Sequence, residues 1–230
     1  MLIVLASERD AAARRLVERW ASHGARLMTV RDLSAPGWRY GGSNGREDCA
    51  VIGGEIIPRD AITGVVTRIA WVQPTDLPHI VEDDREYIAA EYVAFLTAWL
   101  DGLPCPVMNK PSPACLLGPT LTRERWLARA ARAGLTLVSR QRWVPEPSDP
   151  LPQAAVSVVG ERWFGDVAPE LGAQAVRLAR EAGVELLAAL FSAADREAAF
   201  VGAELMTDVT PDIADALLSC LLQRAPEVRA

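Results

Sequence analysis

Four consecutive apolar residues, Leu2, Ile3, Val4 and Leu5, are followed by a stretch of helical periodicity and then by a second apolar run. Residues 1–7 read as a buried strand. Residues 8–24 read as an amphipathic helix with Ala12, Leu16 and Trp20 on one face and Gly24 as its stop, and residues 25–30 as a second strand. A strand, a crossover helix and another strand bring the chain back in the same direction. That opening predicts a parallel sheet and an α/β architecture.

The rest of the chain extends the pattern. Ala50, Val51 and Ile52 are joined to Glu55, Ile56 and Ile57 by Gly53 and Gly54, which signals a hairpin. Residues 62–71 read as a strand, 82–100 as a long helix, 106–109 as a short strand, 122–134 as a helix and 135–144 as a strand. In the long helix Ile88, Tyr92, Phe95, Leu96 and Trp99 share a face. Residues 145–153 hold four prolines and make the best boundary. Beyond it come a hairpin over 154–164, a helix over 169–183, strands over 184–190 (also readable as helical) and 198–205, and a helix over 211–224. Thr210 and Pro211 supply the cap and first position of that last helix. The expected organisation is an α/β domain over residues 1–145 and a smaller α+β region over 154–230.

Composition narrows the function. Half of the 230 residues are hydrophobic and the net charge is −6, with no basic stripe to neutralise phosphates. A nucleic-acid partner is therefore not expected. The four cysteines lack metal-type spacing and read as buried or free thiols in a reducing cytoplasm. No basic leader and no bilayer-length apolar run is present, so a cytoplasmic protein with no membrane association is expected.

Candidate chemistry starts at Lys110, the one lysine among 24 cationic residues. Arginine is a planar, permanently charged fork, whereas lysine is a compact charge that burial can neutralise. A lysine kept in so arginine-rich a chain is a candidate catalytic group; the alternative is a chance survivor on a solvated loop. Lys110 and Asn109 follow a short strand, and Thr67 and Arg68 follow another. Asp84, Tyr87 and Glu91 form a stripe on the helix between them. Ligands of open α/β sheets gather at the carboxyl ends of strands. Lys110, Glu91 and Asp84 are thus expected as catalytic residues, with Arg68, Tyr87, Asn109 and Thr67 binding substrate. Arg68 suits a carboxylate, sulfate or phosphate. The structural alternatives are an ion pair of Arg68 with Glu91 or Asp84, a solvated acidic face, and Asn109 as a strand-end cap. His23 and His79 read as peripheral, and no metal or cofactor is expected.

Several of these pieces also occur in a recognisable order. Gly-Val-Val-Thr-Arg over 64–68, the helix carrying Tyr87 and Glu91, Pro-Val-x-Asn-x-Pro over 106–111 and Trp-x-x-x-Ala-x-x-x-Gly-Leu over 126–135 resemble the front of ATP-grasp ligases. The likeness is to the pre-ATP-grasp domain of the peptide-modifying ones. Residues 158–165 are similar to the Val-Val-Gly-Asp hairpin of such enzymes, and 203–211 stand where they carry a metal-binding Glu-x-Asn segment. Two departures matter. Only the proline-rich connector stands where the nucleotide-clamping subdomain belongs, and the metal segment has Met206 and Asp208 in the expected Glu and Asn places. Magnesium wants hard oxygen donors, which a thioether does not supply.

The resemblance therefore implies a pre-ATP-grasp-like sheet flanked by helices and a remnant of the ATP-grasp domain, while the departures argue against ATP use. The expected function is an ATP-independent enzyme of specialised small-molecule biosynthesis. It would act on an anionic, amino-acid-derived intermediate by base-assisted elimination or intramolecular displacement of a sulfate or phosphate, as in aziridine formation, with a protein partner or as a homo-oligomer. The alternatives are a non-catalytic pseudo-ligase subunit, and one half of an ATP-dependent carboxylate–amine ligase.

Overall fold

The structure, a computed structural model, describes residues 1–41, 47–137 and 151–224. The chain divides into two compact units, Met1–Pro119 with the chain from Leu217 onward, and Thr120–Ala216. The expected proline-rich boundary and most of the expected strand at 135–144 lie largely outside the described residues. The fold is mixed α/β, with a helix-flanked parallel sheet in the first unit and an antiparallel sheet in the second.

In the first unit four strands run parallel in the order β2-β1-β5-β6: β1 (Leu2–Leu5), β2 (Arg26–Met28), β5 (Gly64–Thr67) and β6 (Val107–Met108). All four residues of β1 are fully buried, because both faces of a parallel sheet are covered. Helix α1 (Ala11–Arg19) is shorter than expected. Asp10 caps it by accepting from the amides of Ala12 and Ala13 at 2.8 and 3.0 Å. A 3₁₀ turn (Ala21–His23) and Gly24 at φ 66° complete the descent. The hairpin β3 (Cys49–Ile52) and β4 (Glu55–Pro58) forms a separate two-stranded sheet, with Gly53 and Gly54 both at positive φ as a two-residue turn requires.

Helix α2 (Arg85–Gly102) crosses from β5 to β6. It buries Ala89, Leu96, Trp99 and Leu100 against the core formed by Ile3, Leu5, Val65 and Val107. Trp38 meets Phe95 and Trp99 edge-on at 5.2 and 5.6 Å. Geometry of that kind adds about 0.5–1.5 kcal/mol beyond area burial.

The second unit carries β7 (Ala154–Val159), β8 (Arg162–Phe164), β9 (Leu186–Phe191) and β10 (Phe200–Glu204) in the order β10-β9-β7-β8. The segment readable as strand or helix is the strand β9, paired on both sides. Helices α3 (Arg123–Arg132) and α4 (Pro169–Ala182) bury their apolar faces with this sheet around Phe191 and Phe200. Leu137 bridges in parallel to Phe200. A Cβ at Gly172 would run into the Trp163 ring, so this helix-interior glycine lets β8 approach α4. The last helix, α5 (Pro211–Arg224), starts where Thr210 Oγ1 accepts from the Ile213 amide. Among the described residues no helix is long and apolar enough to cross a membrane.

Candidate functional site

The order β2-β1-β5-β6 sends the chain from β1 to its neighbour on one side and later to its neighbour on the other. The loops leaving β1 and β5 therefore diverge, which is where open α/β sheets hold ligands. A cavity of about 520 Å³ opens there. Glu8 and Arg9 reach it from the end of β1, Thr29 and Arg31 from the end of β2, and Ile69 from the end of β5. Asp76 and His79, on the loop before α2, close it.

Beside the cavity, at the start of α1, lies a largely buried ion pair. Arg68 Nε donates to Asp10 Oδ2 at 2.8 Å, with side-chain exposures of 8% and 18%. Burial raises the Asp10 carboxyl, but the Arg68 hydrogen bond, the Ala13 and Ala12 amides and the Arg68 charge together hold it below the usual carboxylate range. Asp10 thus does two things at once: it caps the helix and anchors Arg68.

The seven residues expected to form the site separate. Thr67 is the last residue of β5, paired with Leu5, and Asn109 lies one position beyond β6; both are buried. Among the described residues Thr67 Oγ1 has no hydrogen-bond partner. Asn109 takes φ 55°, a left-handed conformation that asparagine tolerates better than most residues. Arg68 pairs with Asp10 rather than with either acid of α2. Asp84, Tyr87 and Glu91 are exposed. Lys110 is exposed and sits 3.4 Å from the exposed Asp101. Asp101 is ten residues beyond Glu91 on α2 and seventeen beyond Asp84, roughly 15 and 25 Å along the chain at helical rise. None of the seven lines the cavity at the strand ends, nor a shallower one of about 730 Å³ formed by Ala90, Ala94, Ala98, Asp101, Pro111 and Pro113.

Sequence reasoning misses the residues that do line the first cavity. The signal was present, since a β-α-β opening points to the loop right after its first strand, where Glu8 and Arg9 stand. It also passes over His79. Ser34 Oγ lies 2.7 Å from His79 Nε2 and 2.6 Å from the Tyr92 hydroxyl. Residues 34, 79 and 92 are too far apart in sequence for spacing to reveal this contact. Among the described residues no three His, Cys, Asp or Glu side chains gather as a metal site would need. Burial pushes the Cys105 thiol up to about 11, and burial likewise raises Cys220.

No family model matches the chain, and no curated protein matches it. Solved structures do. An RiPP-associated ATP-grasp ligase from Chryseobacterium gregarium, in complex with ADP and a leader and core peptide, is similar at TM-score 0.69 and 10% identity; the match covers 98% of this chain and 97% of that one. The fold is ATP-grasp-like. The macrocyclase MdnC from Microcystis aeruginosa MRC, bound with precursor peptide MdnA, is similar at TM-score 0.67 and 10% identity, covering 96% and 99% of the two chains. The ATP-grasp ligase PsnB, complexed with minimal precursor, Mg and ADP, is similar at TM-score 0.64 and 14% identity, covering 96% and 98%. At these identities the likeness is one of fold.

Proposed function

We propose that this protein is an ATP-independent enzyme of natural-product biosynthesis on a reduced ATP-grasp scaffold. It binds an anionic, amino-acid-derived intermediate in the cavity at the strand ends of the first unit. The observation that carries this reading is the lining of that cavity. Arg9 and Arg31 offer forks for a carboxylate, sulfate or phosphate, and Glu8 and Asp76 offer acceptors for an amino group. A lining of both signs fits an amino-acid-like molecule better than a simple anion.

What supports a reading without ATP is the sequence between Leu137 and Ala154. Sixteen residues, four of them proline, stand where the family this chain resembles carries a nucleotide-clamping subdomain. Without nucleotide activation the intermediate must arrive with its leaving group installed. The remaining chemistry is base-assisted elimination or intramolecular displacement of a sulfate or phosphate, with His79 as the group placed to take the proton. Peptides bound to similar ligases support an amino-acid or peptide origin for the substrate.

The test is direct. Purified protein is titrated calorimetrically with phosphorylated or sulfated amino acids, with and without ATP and magnesium. The expected result is ATP-independent binding weakened at least tenfold in an Arg9→Ala, Arg31→Ala double variant, about 1.4 kcal/mol or more. Binding or turnover that strictly needs ATP and magnesium overturns the reading. Lys110→Ala and Glu91→Gln variants, altered at solvent-facing side chains, locate the site: loss of turnover in these would return the chemistry to the residues expected from sequence.

A second reading, a non-catalytic subunit, draws on the apolar groove along α2 and on the exposed Trp71, Val81 and Tyr87. Activity of a partner enzyme that survives loss of Arg9 and Arg31 favours it.

A further inference from the structure

We infer that Ser34 is a covalent nucleophile, activated by His79, that accepts an acyl group from an ester-type donor at the edge of the cavity that His79 and Arg31 line. The inference goes beyond the proposed elimination and does not need it. Its basis is a three-residue contact at the surface, whose members are each fixed by neighbouring hydrogen bonds or packing. Ser34 ends the 3₁₀ turn Val30–Ser34. Asp32 locks that turn by accepting from the Thr29 amide at 2.8 Å and the Thr29 hydroxyl at 3.1 Å, while its other carboxylate oxygen accepts from the Gly53 amide at 2.9 Å. His79 lies in a loop held by Arg85, whose guanidinium donates to the carbonyls of Ile80 and Pro78 at 2.9 and 3.4 Å, one on each side of the histidine. Tyr92 is partly buried in the core, with its hydroxyl on Ser34.

Each of the two contacts can run in either direction, depending on the tautomer of His79. With His79 protonated at Nδ1, Nε2 is an acceptor. In that tautomer the chain runs from Tyr92 O–H to Ser34 Oγ, and from Ser34 O–H to the lone pair of His79 Nε2. That is the polarity a serine nucleophile needs: its proton already points at the base. Side chains three apart on a 3₁₀ turn eclipse, so Arg31 stands over the face that carries Ser34 and brings a cation to the same cavity.

The step balances without a cofactor. Ser34 Oγ attacks the carbonyl carbon while its proton passes to His79 Nε2. The tetrahedral adduct collapses, the bond from carbon to the leaving oxygen breaks, and that oxygen takes the proton back from His79. Water or an amine then attacks the acyl-serine and releases the product. Arg9 and Arg31 select acyl groups that carry a negative charge.

The experiment uses the full chain with a fluorophosphonate probe and intact-mass and peptide mapping. In parallel, hydrolysis of 4-nitrophenyl hemisuccinate is compared with that of neutral 4-nitrophenyl butyrate. The expected result is one adduct at Ser34, lost in Ser34→Ala and slowed about 100-fold or more in His79→Gln. Tyr92→Phe keeps the adduct at a reduced rate, and the anionic ester is the better substrate by a margin that Arg31→Ala erases. Labelling spread over surface serines, or labelling of Ser34 unchanged in His79→Gln, overturns the inference. Because the probe needs no phosphorylated or sulfated amino acid, failure here is distinguishable from failure of the proposed elimination.

Discussion

Two ion pairs of the first unit divide the residues expected at the site. Arg68 and Asp10 are largely buried, 2.8 Å apart, at the start of α1; Lys110 and Asp101 are exposed, 3.4 Å apart, near the end of α2. Desolvation decides their worth. A carboxylate that caps a helix and holds a buried guanidinium leaves several donors changed when removed, whereas an exposed pair is screened and contributes about 0–1 kcal/mol. Rarity in the composition singled out the second pair. Topology singles out the first, because Arg68 and Asp10 follow the two central strands at the switch point.

The largest expected effect is on Asp10. Asp10→Ala removes the α1 cap and the Arg68 contact together and should cost roughly 2–3 kcal/mol in urea unfolding. Acid should act the same way. The folded-state pKa of Asp10 lies below its unfolded value, so its stabilisation is complete above the ordinary carboxylate pKa of about 3.9 and is lost as pH falls through the folded value. Asp10→Asn should flatten that acid slope, and an unchanged slope would show that the pair is not coupled to folding.

A smaller effect is expected at Thr67. Its buried hydroxyl lacks a hydrogen-bond partner among the described residues, so Thr67→Val should be neutral or stabilise by about 1 kcal/mol. Destabilisation beyond that would mean an ordered water or ligand uses the hydroxyl. The smallest effect is at the exposed pair. Lys110→Ala and Asp101→Ala should each stay within about 0.5 kcal/mol of the parent protein. A double-mutant cycle giving more than 1 kcal/mol of coupling would erase the contrast between the two pairs.

The parts of the fold that were legible in sequence are those set by local pattern. Leu2, Ile3, Val4 and Leu5 gave the first strand, Gly53 and Gly54 the hairpin turn, and Thr210 with Pro211 the start of α5. The helix expected from residue 8 starts at Ala11, because Asp10 takes the cap. The site was less legible. Strand spacing placed Thr67 and Asn109 at the carboxyl edge of the sheet, where they lie, but helical spacing says only which residues share a face of α2, not whether that face meets solvent. Ser34, His79 and Tyr92 meet through three separate segments, and no spacing rule encodes such a meeting.

Gly64 opens β5, and a side chain there would press on Leu2 and Leu221. The first and last described stretches of the chain therefore meet over one glycine, more than 200 residues apart in sequence. Loop closure on that scale comes late in folding. A nascent chain on the ribosome has the whole parallel sheet in hand long before Leu221 emerges. Until then one flank of that sheet, at Leu2 and Gly64, lacks its final cover. Synthesis order thus makes the strand ends that form the cavity available early, and the cover of the opposite edge, where β1 and β5 begin, by Leu221 one of the last events.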